Sequence, residues 1–209
     1  MCDWNTHLYC AHKVNQHLNF EGQELDMFLF GNLLPDVNMG WIIAPEVRLE
    51  QCYTHFDGMG QEYFWAPQRF YEKYKEAIDS RDPLHLGYLF HLWMDVANMT
   101  YFVNKIPMSQ MISDYHKVRE LKWKDTSLFI RNHKFTLSDN NVNSIVSHAK
   151  TIDEVNITRS DLLKVVDYIN EGTREFEADS YQLYSEKELE DFYERNCSDF
   201  IAWLSSSNN

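Results

Sequence analysis

The sequence lacks the features that would assign it to several specialised classes of protein. It has only seven glycines and five prolines in 209 residues and no low-complexity tract, which excludes collagen-like and largely disordered chains. No apolar run reaches the roughly 18 residues that span a bilayer. The first residues, Met1 to His7, have neither the basic start nor the apolar stretch of a signal peptide. These absences predict a cytoplasmic protein without a transmembrane segment.

Basic residues are scarce as well, and the cysteines are scattered. Nineteen Lys and Arg oppose 32 Asp and Glu, which gives a formal net charge of -13. Without a basic cluster to neutralise phosphates, we expect no stable complex with nucleic acid. Cys2, Cys10, Cys52 and Cys197 form no C-x-x-C pair, so a zinc knuckle and a dithiol redox motif are both excluded. Nothing in the sequence indicates an oligomeric state.

Hydrophobic periodicity predicts a single all-α domain over residues 1–209. Hydrophobic residues form 44% of the chain, enough for a sizeable core. The longest apolar block, Pro83 to Lys105, follows a plausible N-cap at Asp82 and ends before Pro107, so it predicts a buried central helix. Evidence for strands is thin, because the apolar stretch 41–44 is short and the stretch 50–67 has the composition of a long loop.

Shorter helices are predicted on both sides of this block. Apolar residues at three- and four-residue intervals predict helices near residues 8–15, 25–34, 109–122 and 125–133. Two capping-box patterns, Thr151-x-x-Glu154 and Ser185-x-x-Glu188, predict the starts of two more. We expect the helices of 151–204 to be structural, the acidic stretch 171–190 to be a solvated surface, and the tail 205–209 to fray.

Two pairs of side chains have the spacing of metal ligands on a helix. His91 and Asp95 lie four residues apart within the apolar block, and His116 and Glu120 repeat the spacing 25 residues later. Residues at this interval share one helical face and can reach one cation together. A buried His bonded to Asp would give the first pattern too, but polar groups on an apolar helix require a partner or a cation.

Further candidates lie upstream, at Asp36 and His55. Asp36 follows Pro35 in the run Gly31 to Asp36, and His55 lies in Thr54-His55-Phe56 within the expected loop. Taken singly, an aspartate after proline is usually a turn or cap residue, and a loop histidine is usually a surface residue.

Taken in order, these motifs resemble those of the zinc-dependent phospholipase C family. The ordered set over residues 6–120 is Thr6-His7, G-x-x-x-P-D from Gly31 to Asp36, Thr54-His55-Phe56, Gly87 to His91 with Asp95, and His116-x-x-x-Glu120. The family's all-helical fold is shared by the fungal single-strand-specific nucleases. The resemblance implies a helical bundle of that type, with zinc ions in a cleft and hydrolysis of phosphodiester bonds.

Applied to this chain, the resemblance implies a site of two or three zinc ions. Asp36, His55, His91 and Asp95 would hold one ion, and Asp95 would bridge to a second ion that His7 also binds. His116 and Glu120 would hold the third ion. Iron or manganese would also suit these ligands. Such ions bind a phosphodiester and activate a water, and Asp36 would also accept that water's proton.

The resemblance leaves the substrate open and has two departures. A lipid, a nucleotide and a small metabolite are all possible diesters. The family's further histidine, six residues after the bridging aspartate, is Tyr101 here, and this chain begins at Met1 rather than at the tryptophan whose free amine serves as a ligand in secreted relatives. The alternative is therefore a catalytically degenerate family member that acts as a binding or scaffold protein.

Five further histidines and five aromatic residues have no assigned role. Surface or core positions are expected for His12, His17, His85, His133 and His148, of which the last three lack a spaced acidic partner in the sequence. Five aromatic residues could line a pocket or belong to the core: Trp41, Phe56, Tyr63, Phe64 and Trp65.

Overall fold

Eleven α-helices follow one another in the part of the chain that the structure describes. The structure is a computed structural model that describes residues 3–56, 63–106, 108–133, 135–172 and 178–207. The helices are α1 (Trp4–Leu18), α2 (Gly22–Gly31), α3 (Leu34–Met39), α4 (Gln51–Thr54), α5 (Ala66–Lys73), α6 (Lys75–Asp79), α7 (Pro83–Lys105), α8 (Met108–Phe129), α9 (Val142–Ala149), α10 (Arg159–Asn170) and α11 (Glu186–Ser207). These ranges contain no strand, which confirms the all-α prediction.

The central helix α7 begins and ends where the sequence predicts. The carboxylate of Asp82 accepts the backbone N–H of His85, and Pro83 occupies the first turn, where its missing N–H is not needed. Most of α7 is buried, because α1, α2, α3, α5, α6, α9 and α11 all pack against it. None of the described helices is both long and apolar enough to cross a membrane.

Helix α2 packs closely on α7, and two glycines allow this approach. A Cβ at Gly87 would lie 2.2 Å from the carbonyl oxygen of Phe28, and a Cβ at Gly31 would lie 2.2 Å from that of Leu84. Both separations are shorter than any van der Waals contact, so only glycine fits at these positions. The contact also brings the side chain of Asn32 to the carbonyl oxygen of Gly87, at 3.2 Å.

Several predicted boundaries are wrong in the first two thirds of the chain. The stretch 109–133 has no break at residues 123–124: α8 runs through them, with non-helical backbone angles at Asp114, and a 3₁₀ turn follows at Ile130–Asn132. The loop expected over 50–67 contains α4 and, from Tyr63, a 3₁₀ turn that leads into α5, while residues 57–62 lie outside the described part. Local periodicity misses such short elements, because tertiary packing stabilises them.

One of the two predicted capping boxes is present and the other is not. At the start of α11, Ser185 and Glu188 exchange side-chain to backbone hydrogen bonds of 2.8 and 3.2 Å. Thr151 to Glu154 forms no helix. Glu154 is buried instead and accepts hydrogen bonds from Lys73 and Tyr74, so its carboxylate is not available as a cap. The helix in this region starts later, with a capping box of Thr158 and Asp161.

The C-terminal helix α11 and the segment before it contribute to the core. α11 packs on both α1 and α7 and stays helical to Ser207, so the expected fraying from residue 205 is wrong up to that point. The segment before α11 is fixed by the buried carboxylate of Asp125, which accepts the backbone N–H groups of residues 182–184 at 2.6 to 2.9 Å. Within the acidic stretch 171–190, Tyr184 and Leu189 are buried, so that stretch is not only a solvated surface.

The aromatic residues singled out in the sequence divide between core and surface. Phe56 packs against the core, whereas Trp41, Phe64 and Trp65 are more than half exposed. Phe64 and Trp65 line a groove of 280 Å³ with Trp93 and Trp203. The side chain of Tyr63 lies outside the described part.

Candidate metal centre

Five of the seven predicted ligands gather at one buried place in the molecule. They are His7 on α1, Asp36 on α3, His55 at the end of α4, and His91 and Asp95 on α7. The five side chains come from four helices that are far apart in the sequence. Asp36 is 6% exposed and the other four are at most 1% exposed. The core therefore encloses two carboxylates and three imidazoles, a donor set typical of a metal centre.

Local structure aims Asp36 and His55 at the cluster. Pro35 lies in the first turn of α3, where its fixed φ favours helix formation, so Asp36 lies on a helix and not on the exposed turn expected after a proline. His55 follows the last residue of α4. The hydroxyl of Tyr88 on α7 donates a hydrogen bond to the carbonyl oxygen of Thr54, which ties this short helix to the central one.

The donor atoms are spaced as the ligands of an ion are. From Nε2 of His55 the distances are 3.3 Å to Nε2 of His91, 3.4 Å to Oδ1 of Asp36 and 3.6 Å to Oδ2 of Asp95. Nε2 of His91 lies 3.7 Å from the same Asp95 oxygen and 3.9 Å from Asp36. A tetrahedral ion with bonds of about 2.0 to 2.1 Å separates its ligand atoms by about 3.3 Å. Most of these distances exceed good hydrogen bonds and fit ligand separations.

The second oxygen of Asp95 faces a different partner. Oδ1 lies 3.5 Å from Nε2 of His7, whereas Oδ2 faces His55 and His91. The ring of His7 stacks on that of His91 with centroids 3.9 Å apart. Asp95 therefore lies between two sets of imidazoles, as a bridging carboxylate would.

Hydrogen bonds outside the cluster orient two of the imidazoles. Nδ1 of His91 lies 2.8 Å from the carbonyl oxygen of Asn32. Because a carbonyl only accepts, this nitrogen carries a proton, and in the neutral ring the lone pair is on Nε2, facing the cluster. Nδ1 of His55 lies 2.8 Å from the hydroxyl of Thr54, which in turn reaches the carbonyl oxygen of Gln51 at 3.4 Å. With Nδ1 donating in this series of hydrogen bonds, the lone pair of His55 lies on Nε2, which faces the cluster.

The electrostatics of the cluster favour the protonation states that bind cations. Burial lowers the pKa of His91 to about 3, and the neighbouring His7 adds to the effect, so the ring is neutral at pH 7. Burial opposes ionisation of Asp36, but the interactions with His91 and His55 outweigh it and lower the pKa of this carboxyl. Burial would raise the pKa of Asp95, but this pKa lies well below its usual value, and His7 and His91 are among the groups that outweigh burial. A neutral His91 that faces ionised carboxylates is in the protonation state that binds a metal ion.

Several polar atoms of this cluster are buried and form no hydrogen bond with the described residues. They include both ring nitrogens of His7 and Oδ1 of Asp36. Such groups are costly in a protein core unless something else binds them. A divalent cation would satisfy these atoms, so the residues present fit a metal ion.

The two other predicted ligands are not brought to this cluster. His116 and Glu120 lie on α8 with exposed side chains, and Glu120 forms an ion pair of 2.6 Å with Lys124. Neither belongs to a group of three or more closely spaced metal-ligating side chains among the described residues. The ring of Tyr101, which stands where the family has a further histidine, stacks on Phe192 and Tyr184 with centroids 4.3 and 5.4 Å away. That position is used for packing.

Two residues that orient the ligands, Asn32 and Thr54, were not predicted from the sequence. Only one of them could have been found there. Asn32 acts through its backbone carbonyl, for which no side-chain pattern exists. Thr54 precedes His55 directly, so a hydroxyl beside a candidate ligand was a usable signal.

Replacing Thr54 by valine is expected to weaken metal binding at the cluster by about 10- to 100-fold, because the hydroxyl orients His55 and sets which nitrogen carries the proton. Competition with a chromophoric chelator measures the change. Thr54→Ser keeps the hydroxyl and should bind metal as the native protein does. Equal affinities for the valine and serine variants would contradict this role.

Comparisons of the chain with models of protein families, with curated proteins and with solved structures find no match.

Proposed function

We propose that this protein is a metal-dependent hydrolase of phosphodiester bonds, as its resemblance to the zinc-dependent phospholipase C family implies. The observation that carries the proposal is the buried cluster of His7, Asp36, His55, His91 and Asp95. Zinc is the first candidate for the ion, because it favours mixed imidazole and carboxylate ligands. When bound, such ions supply a polarised phosphoryl oxygen and a water of lowered pKa.

The arrangement supports a pair of ions. Asp36, His55, His91 and one oxygen of Asp95 would hold the first, and His7 with the other Asp95 oxygen would contribute to the second. Two bound divalent ions would outweigh the charge of two carboxylates, so the local potential would be positive although the chain carries a net charge of -13. An anionic diester would therefore be attracted to the cluster.

Asp36 is best placed to handle the proton of the attacking water. It keeps the largest exposed fraction in the cluster, 6%, and its Oδ1 accepts no hydrogen bond from the described residues. The lowered pKa of Asp36 keeps it ionised at neutral pH and able to accept a proton. The surrounding apolar core excludes bulk water from the imidazoles.

One observation favours a second candidate, a binding or scaffold protein stabilised by metal. With His116 and Glu120 exposed and Tyr101 packed among aromatic rings, the third ion of the resemblance has no site among the described residues. Fewer ions would leave a helical protein that binds metal without catalysis. The number of ions held at the buried cluster, counted as the ions that Asp95→Ala loses, separates the two candidates: two favour the hydrolase, and one or none favours the binding protein.

The test of the proposal is hydrolysis of a chromogenic diester, bis(p-nitrophenyl) phosphate, by the metal-loaded protein. We expect turnover that a chelator abolishes while circular dichroism shows that most helicity remains, because the apolar core extends well beyond the cluster. Asp36→Asn should lower kcat by about 100-fold or more, in the range for loss of a general base. A metal-loaded protein that cleaves neither diesters nor monoesters would rule out the hydrolase and favour the binding protein.

A further inference from the structure

A second group of metal-ligating side chains lies outside the buried cluster. Asp82, the N-cap of α7, receives His85 from the first turn of the same helix and His148 from α9. Nδ1 of His85 lies 2.7 Å from Oδ1 of Asp82, and Nε2 of His148 lies 2.6 Å from Oδ2. His85 is therefore a hydrogen-bonded core histidine, in keeping with the expected core or surface position, and both histidines have an acidic partner that the spacing did not indicate. Folding brings His148 to a carboxylate 66 positions away.

The group opens onto a cleft of 590 Å³ that its three members help to line. The side chain of His148 is 32% exposed and that of Asp82 is 19% exposed, while His85 is buried. An ion can reach the donor atoms from solvent without unfolding the core.

The charges that line this cleft do not oppose a cation. Two lysines lie there, and both are already paired: Lys73 contacts Glu154 at 2.5 Å and Asp153 at 3.0 Å, and Lys75 contacts Asp79 at 2.6 Å. Glu72 and Glu76 add negative charge to the lining. The field in the cleft therefore favours a divalent ion over an anion.

We propose that Asp82, His85 and His148 form a second, solvent-accessible site for a divalent transition-metal ion such as zinc. Three protein ligands, two imidazoles and a carboxylate, leave at least one coordination position open to water, as in catalytic zinc sites. The proposal is independent of the phosphodiesterase activity and of the buried cluster.

The hydrogen-bond distances show how little must move for an ion to bind. Donor atoms 2.6 to 2.7 Å apart are closer than the roughly 3.3 Å between the ligands of a zinc ion, so each imidazole moves away from Asp82 by less than about 1 Å. The donor nitrogens of the two imidazoles already lie within 4.8 Å of each other. Each imidazole transfers to solvent the proton that faces Asp82 and takes one up on its other nitrogen. The partly exposed His148 can make this adjustment with little cost in packing.

Zinc titration by calorimetry of the native protein, His148→Ala and His17→Ala tests the proposal. His17 is an exposed helical histidine and serves as the matched control. We expect His148→Ala to bind one ion fewer per chain, or to bind that ion at least about 100-fold more weakly, because loss of a ligand exceeds the 10- to 100-fold effect of losing a supporting hydrogen bond. His17→Ala should match the native protein.

The same titration in an Asp95→Asn background separates this site from the buried one. We expect the His148-dependent ion to remain bound when the buried cluster is altered. If the native protein and His148→Ala take up the same number of ions with the same affinities, the proposal is wrong, and the three residues serve only as a hydrogen-bonded link between α7 and α9.

Discussion

Asp95→Ala is expected to abolish metal binding at the proposed buried site, whereas His116→Ala leaves that binding unchanged. The two oxygens of Asp95 face different imidazoles, His7 on one side and His55 and His91 on the other. Loss of this carboxylate therefore affects both candidate ion positions. The expected loss of affinity is more than about 100-fold, beyond that for a supporting residue. Metal content per chain, measured after dialysis of the purified variants, gives the result.

Asp95→Asn provides the control for folding in this experiment. The amide has nearly the shape of the carboxylate but no charge, so the variant should keep the native helicity and still lose metal. His116 is exposed on α8 and its removal should change neither property. Equal metal loss from Asp95→Ala and His116→Ala would count against the bridging role of Asp95.

Gly87→Ala is expected to destabilise the protein by about 3 kcal/mol or more, the upper range for overpacking a core. The added Cβ would lie 2.2 Å from the carbonyl oxygen of Phe28 and 2.8 Å from the backbone nitrogen of Asn32, and neither backbone atom can rotate away. α2 must therefore separate from α7. Thermal unfolding should show a midpoint lower by about 6 to 12 °C, from the usual 2 to 4 °C per kcal/mol for this size.

The same substitution should weaken metal binding, since the shift of α2 carries the Asn32 carbonyl away from His91. Gly172→Ala is the matched control. A Cβ there meets open space, and its φ of 66° costs about 1 to 2 kcal/mol in the left-handed region without touching the site. If Gly87→Ala unfolds at the same temperature as Gly172→Ala, the close packing of α2 on α7 is not what stabilises this core.

The ligand residues illustrate what a sequence can and cannot reveal about a site. His91 and Asp95 are predictable as a pair, because one helix fixes their relative position at four-residue spacing. His116 and Glu120 have the same spacing and lie exposed, on another helix and outside the cluster. Four-residue spacing alone indicates that two side chains share one face of a helix. It does not state whether that face is turned toward the core.

The sequence by itself determined the helical class and the central helix, because apolar periodicity, the N-cap at Asp82 and the prolines at its ends are local features. Only the tertiary structure decided which polar residues meet. His7, Asp36 and His55 join α7 through the packing of separate helices, and His148 reaches Asp82 in the same way. These contacts depend on the crossing of helices distant in the chain, for which no local pattern exists. The geometry of these crossings depends on how the surfaces of the helices fit together, as in the close approach of α2 to α7 that two glycines permit.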